Sequence, residues 1–477
     1  MSEGGFGLTE AVSIGLGGMI GGGIYAVLGV VSRVTGAATW FAFVLAGVVA
    51  VCAGYSFVRL NELVVEGGDG GTDTENENGD ATNESEDTAD GGSTGGGAVT
   101  FVQSFTGNST LAGMVGWTLL IGYVGSMAMY AFAFGEFTVA LPLVPESAAG
   151  LPLRPVVSVL AVAGFVGLNL LGARATGSAE NVLVGVKILV LVAFGVGGVA
   201  YALAGTGRPL RLGTSQLASF SPIMAAAVAF VAFQGWQLLF YDQESFENPL
   251  EQIPTAVYIS IPVAVAIYVV VAVATYNIAP GALQSHPHTA LSRAASTITG
   301  AVGLASAGGI VISLSALFST GSAINATLFS TGYFAKGMLS DDLLPDRVGD
   351  SSASGVPTRT VIVLGAVTAG FTAYGSLSAI TSFASLAFIV VFGGTSYLAF
   401  TRRDAESISP VWPAVGTVGA TLFFVLMFYH LYTAERNTFY TVVAIAIVVF
   451  AVELLYFERD VIEEEIPYLD PESEQVA

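Results

Sequence analysis

Along the chain, long apolar runs alternate with short polar ones, and most of the apolar runs approach the roughly 20 residues that a helix needs to cross a bilayer. Twelve such runs are predicted as spanning helices, near 8–30, 38–60, 111–141, 153–171, 181–204, 222–241, 255–278, 297–334, 358–375, 378–400, 410–431 and 438–457. The eighth is long enough to run on as a cytoplasmic helix. The pattern is that of an all-α polytopic membrane protein. The first run has no basic leader and no small-residue cleavage site, so it is expected to stay in the mature chain.

Three interruptions carry more information than the runs themselves. Residues 67–97, "GGDGGTDTENENGDATNESEDTADGGSTGGG", hold no aromatic residue and almost no aliphatic ones. Such a segment buries too little surface to fold alone, and is expected to be a disordered cytoplasmic insertion. Within the first run, "GLGGMIGGGIYAVLG" places Gly21, Gly22 and Gly23 in succession. Scattered small residues let membrane helices pack closely, but three consecutive glycines point to a helix that unwinds. Unwound backbone in a membrane must be satisfied by protein or by a watery cavity. In the sixth run, "AFVAFQGWQLLFYDQESFENP" interrupts apolar residues with Gln234, Gly235 and Gln237.

Composition narrows the class. The chain is 53% hydrophobic and only 11% charged, against roughly 25% charged in soluble domains. Its net charge of −21 argues against nucleic-acid binding. The only two lysines are Lys187 and Lys336, and acids crowd into Glu62–Asp90 and Glu458–Glu474. This acidic, lysine-poor balance is expected of a high-salt organism such as a halophilic archaeon, where dense screening weakens self-repulsion. The single Cys52 can form no internal disulfide. No HExxH, GxSxG or P-loop is present, so no enzyme, cofactor or metal site is predicted. His286 and His288, flanking Pro287, are poor evidence for metal without a third ligand. Basic residues near the span ends favour the side of the N-terminus, which places both termini in the cytoplasm.

Breaks in runs one and six are what two inverted five-helix repeats would show, with a midplane site between them. Half-helix N-termini then face an anionic group and unwound carbonyls a cation. A zwitterion with both charges on one carbon, an α-amino acid, fits that pair of dipoles.

"MIGGGIY" and "FVAFQGWQ" running into "ENPLEQIP" resemble the first-span and sixth-span signatures of the amino acid-polyamine-organocation superfamily of permeases. "LNLLGARATGSAENVLVGVKILVL" and "LLPDRVGDSSASGVPTRT" resemble its connections after spans four and eight. The likeness covers residues 8 to about 400, which would form the repeat core of helices 1–10. Residues 401–457 would add two further helices, and 458–477 an acidic cytoplasmic tail.

The resemblance implies a secondary active transporter of the cytoplasmic membrane, moving amino acids by alternating access. Backbone amides at Gly21, Gly22 and Gly23 would hold the substrate carboxylate. Carbonyls near Ile20, Phe230 and Ala232 would hold its ammonium, with Phe233 and Trp236 as pocket or gating aromatics. Lys187 is the ionisable residue of most interest. Burying a charge in a span costs at least about 2.5 kcal/mol, so such a residue faces a partner or a cavity. In proton-coupled relatives a lysine at this place stands where sodium sits in sodium-coupled ones, which implies H+ as the coupling ion. Snorkelling to the nearby helix end is the plain alternative. Departures from the family pattern are Gln237 where an acid is common, Ser245 after Glu244, and Tyr333 in place of an arginine. Sodium symport, with Ser319 and Thr320 as oxygen ligands, exchange with an amine, and a transporter-like sensor remain open at this point.

Overall fold

A computed structural model of the chain describes residues 5–69, 97–171, 177–206, 209–345, 347–349 and 357–452. Most of the expected insertion at 67–97, and the acidic tail at 458–477, lie outside the described residues. The described chain is almost entirely helical. It begins with α1 (Leu8–Thr35), α2 (Thr39–Asp69), α3 (Ala98–Thr106), α4 (Ser109–Val139) and α5 (Leu153–Leu170). The middle holds α6 (Gly177–Thr206), α7 (Ser221–Ala229), α8 (Pro249–Ile278), α9 (Pro280–Ser285) and α10 (Ala290–Gly300). The remainder is α11 (Ala305–Ser340), α12 (Thr358–Tyr374), α13 (Leu377–Thr401), α14 (Val411–Ala434) and α15 (Arg436–Val452). Eight stretches among the described residues are long and apolar enough to cross a membrane, with Leu8–Gly67 counted as one.

The helix α1 is the centre of the bundle. It packs against α2, α4, α6, α7, α8, α11 and α13, and its side chains are buried continuously from Gly15 to Ser32. Peripheral α5 and α14 bury one stripe only and leave apolar side chains such as Leu160 and Val418 exposed, as lipid-facing helices do. Four buried hydroxyls are satisfied locally: Ser126, Thr320, Thr395 and Ser396 each donate to the carbonyl four residues back.

Two sequence expectations about continuity are corrected here. The run at 297–334 is not one helix: α10 ends at Gly300, Gly303 takes a φ of 80°, and α11 starts at Ala305. A glycine in that conformation reverses the chain without a Cβ penalty. The first helix is not broken at Gly21–Gly23: α1 is helical throughout Leu8–Thr35. The glycines there serve contact with neighbouring elements, as the geometry of the site shows. The sixth run does break. After α7, Phe230–Phe233 and Trp236–Phe240 are 3-10 turns, separated by extended Gln234 and by Gly235.

Candidate functional site

Four glycines of α1 meet four different elements. A Cβ on Gly18 would lie 2.7 Å from the Gly235 Cα, at the break. One on Gly21 would lie 2.5 Å from the Ala323 Cβ of α11, and one on Gly22 would overlap the Tyr130 ring of α4. One on Gly23 would lie 2.5 Å from the Tyr268 hydroxyl of α8 and 2.9 Å from the Ala232 carbonyl oxygen. Small residues permit this approach where lipid offers no hydrophobic drive for helix association. Close packing therefore accounts for an intact α1 in this conformation.

The break after α7 leaves backbone groups that other parts of the chain satisfy. Gly235 has a φ of 135°, a conformation suited to glycine. Its N–H donates to the Gln237 side-chain oxygen at 2.7 Å. From α13, the Ser385 hydroxyl accepts from the Val231 N–H at 3.0 Å and donates to the Val228 carbonyl at 2.7 Å. Buried backbone without such partners would be costly in a membrane.

Around this break runs a connected polar chain. Tyr241 and Tyr123 share a hydroxyl hydrogen bond of 2.7 Å. The Gln237 amide donates to the Tyr123 hydroxyl at 3.3 Å and to the Gln234 oxygen at 3.0 Å, and the Gln234 amide in turn donates to the Tyr130 hydroxyl. The two glutamines and Tyr123 and Tyr130 are buried. Neither tyrosine stands out in the sequence of α4, although a spacing of seven places both on one face of that helix. Met127, between them on α4, packs with Val124, Leu328, Val361 and Leu364.

Side chains from three helices also reach carbonyls of α1. Lys187 of α6, 3% exposed, donates from Nζ to the Gly17 oxygen at 3.1 Å. Tyr268 donates to the Met19 oxygen at 2.7 Å, and Ser319 of α11 to the Ile20 oxygen at 3.0 Å. The structure thus brings Ile20, Gly21, Gly22, Gly23, Ala232 and Phe233 into one neighbourhood, with the Phe233 ring 5.3 Å from that of Tyr268. The Trp236 ring faces other aromatics, as does the ring of Phe230, whose candidate group is the backbone carbonyl and not the side chain. Phe230 packs on Phe392 and Phe423, and Trp236 on Phe57 and Phe392.

A cavity of about 250 Å³ opens beside this centre, bounded by Ile14, Gly18, Leu183, Tyr241, Asn325 and Tyr333. It reaches α1 one turn before Gly22. Phe6 and Phe246 also line it, and these two residues join the chain's start to the segment after the break. The Phe6 N–H donates to the Ser245 oxygen at 2.7 Å, the Glu247 N–H to the Phe6 oxygen at 3.1 Å, and the two rings meet edge to face.

Comparison with known proteins agrees with this architecture. The chain matches the amino acid permease family over residues 90–452. It is 27% identical to the inner membrane transport protein YbaT of Escherichia coli over 90% of each chain. It is 26% identical to an uncharacterized protein of Methanocaldococcus jannaschii over 94% of each. An uncharacterized transporter of Mycobacterium tuberculosis is 25% identical, over 87% of this chain and 84% of its own. With the family match covering well over half of its length and several apolar helices long enough to span a bilayer, the chain belongs to the amino acid permease family and is a multi-pass membrane transporter.

Proposed function

We propose that the protein carries α-amino acids across the cytoplasmic membrane by alternating access and that protons drive the transport. In this reading helices 1–10 form two inverted repeats, two further helices follow, and both termini face the cytoplasm. The observation that supports it most is the bond from the Lys187 Nζ to the Gly17 carbonyl, which ties α6 to α1 beside the contact of Gly18 with Gly235. A protonated lysine there makes a charge-assisted bond, roughly twice as strong as a neutral one. Loss of the proton weakens the tie and frees α1 to shift relative to α6. Proton binding and helix position are thereby linked through one side chain.

The substrate is read as a neutral zwitterion. The buried polar side chains at the break are amides and hydroxyls, with Gln237 where the family resemblance implies that an acid is common, and the carboxylate of the cavity lining, Asp242, is exposed and accepts from the Ser245 hydroxyl. The glycine amides of α1 would receive the carboxylate once that turn loosens, and the carbonyls of Ile20 and Ala232 the ammonium. Sodium symport is the second reading, favoured by the Ser319 hydroxyl lying against the Ile20 carbonyl. An ammonium on Lys187 competes electrostatically with a cation at the same place.

The test is uptake of a radiolabelled mixture of the common amino acids into liposomes holding the purified protein. An inward proton gradient is imposed, with sodium absent or present. Accumulation without sodium supports the proposal, and accumulation that requires sodium transfers the coupling role to the second reading. Absence of uptake by folded protein under both gradients contradicts amino acid symport.

A further inference from the structure

Two carbonyls from different helices converge on one hydroxyl. The Tyr268 hydroxyl, fully buried, lies 2.7 Å from the Met19 oxygen of α1 and 2.9 Å from the Ala232 oxygen before the break. A phenol has one proton to give, so a single donor serves two acceptors. In a continuing 3-10 turn, the Ala232 carbonyl would be met by the Gly235 N–H. That N–H is donated instead to the Gln237 side chain. The hydroxyl reaches this point only because Gly23 has no side chain, since a Cβ there would lie 2.5 Å from it. The ring of Tyr268 is held between Phe43 and Phe233, each 5.3 Å away.

We infer that the Tyr268 hydroxyl is a built-in competitor of the substrate, holding the seat that the substrate ammonium takes over by displacing it. The inference rests on the transport reading above. An ammonium brings three N–H donors and a full charge to the two carbonyls, where the phenol brings one neutral donor. A carboxylic acid without the amino group has nothing with which to compete for the seat. The hydroxyl therefore raises the apparent KM of every amine, which must displace it, and leaves unchanged the binding of desamino acids, which need not.

The test replaces Tyr268→Phe, which keeps the ring between its neighbours and removes the competing donor. Uptake kinetics of the radiolabelled amino acid mixture are compared with wild type, together with inhibition by the matching acids that lack the amino group. The expected result is a KM lowered about threefold to tenfold, with inhibition by the desamino acids unchanged. A KM that is unchanged or raised overturns the inference and leaves the transport reading intact, as does an equal change for amino and desamino acids. Wild-type protein that takes up no amino acid overturns both. Should Tyr268→Phe not fold, a ring-fluorinated tyrosine at position 268 gives the same decision by fluorine NMR. Its resonance should move on adding the amino acid mixture and stay on adding the desamino acids; movement with both, or with neither, overturns the inference.

Discussion

Gly18 and Gly235 touch through their backbones: a Cβ on Gly235 would lie 2.6 Å from the Gly18 carbonyl carbon, with no flexible side chain to give way. Gly235 also holds a φ of 135°, so alanine there adds strain on the order of 1–3 kcal/mol to the overlap. Both Gly18→Ala and Gly235→Ala should lower the melting temperature in detergent, Gly235→Ala the more. A Gly235→Ala protein that melts like wild type would contradict this crossing of α1 with the break.

Ser385 replaces helix bonds that the chain gives up at the break, accepting from the Val231 N–H and donating to the Val228 carbonyl. Ser385→Ala leaves both groups buried without that partner, at a cost of about 1–3 kcal/mol. Ser396, on the same helix, donates only within α13, to Phe392. Thermal melts of the two alanine variants should therefore differ, with Ser385→Ala the less stable. Equal melts would mean that the break does not depend on the hydroxyl.

Lys187 should be separable into structural and coupling parts. Lys187→Gln keeps a donor of shorter reach but has no titrating group. Proton-driven accumulation should fall to background, while exchange of internal for external labelled amino acid continues. Accumulation at the wild-type level in this variant would remove Lys187 from the coupling mechanism.

His288 lies in the connection between α9 and α10, where burial and the nearby Arg33 of α1 and Arg154 of α5 push its pKa down to about 4. Its ring also meets Phe132 of α4 edge to face, and its Nδ1 has no hydrogen-bond partner among the described residues. The unfolded chain takes up this proton near the ordinary 6.5, before the folded protein does. Folding stability is therefore at its full value above that pH and declines as pH falls from about 6.5 toward 4. His288→Gln should flatten the dependence of melting temperature on pH across that window. A slope equal to wild type would show that this histidine is not the group responsible.

The sequence carried the helical class and the break at Gly235, because apolar length and a glycine between two amides are local signals. It misled at Gly21–Gly23, where local propensity argued for unwinding. What decides there is tertiary: the Ala323 methyl, the Tyr130 ring and the Tyr268 hydroxyl each occupy the space of an absent Cβ. Tyr268 itself lies in an ordinary apolar run, and nothing in its neighbours signals that its hydroxyl meets two carbonyls. The split between α10 and α11 was hidden for a similar reason. A continuous apolar window does not register the chain reversal at Gly303. Lys187 stood out as a charge within a span, whereas its partner, a backbone carbonyl, has no sequence signature.

In the proposed mechanism, amino acid movement carries protons through the Lys187 site. The most direct measurement traps a pH-sensitive dye in liposomes holding the protein, with no gradient imposed, and adds the common amino acids outside. The expected result is acidification of the lumen that keeps pace with uptake of label and is absent with Lys187→Gln. Uptake of label with no change in lumen pH would contradict it.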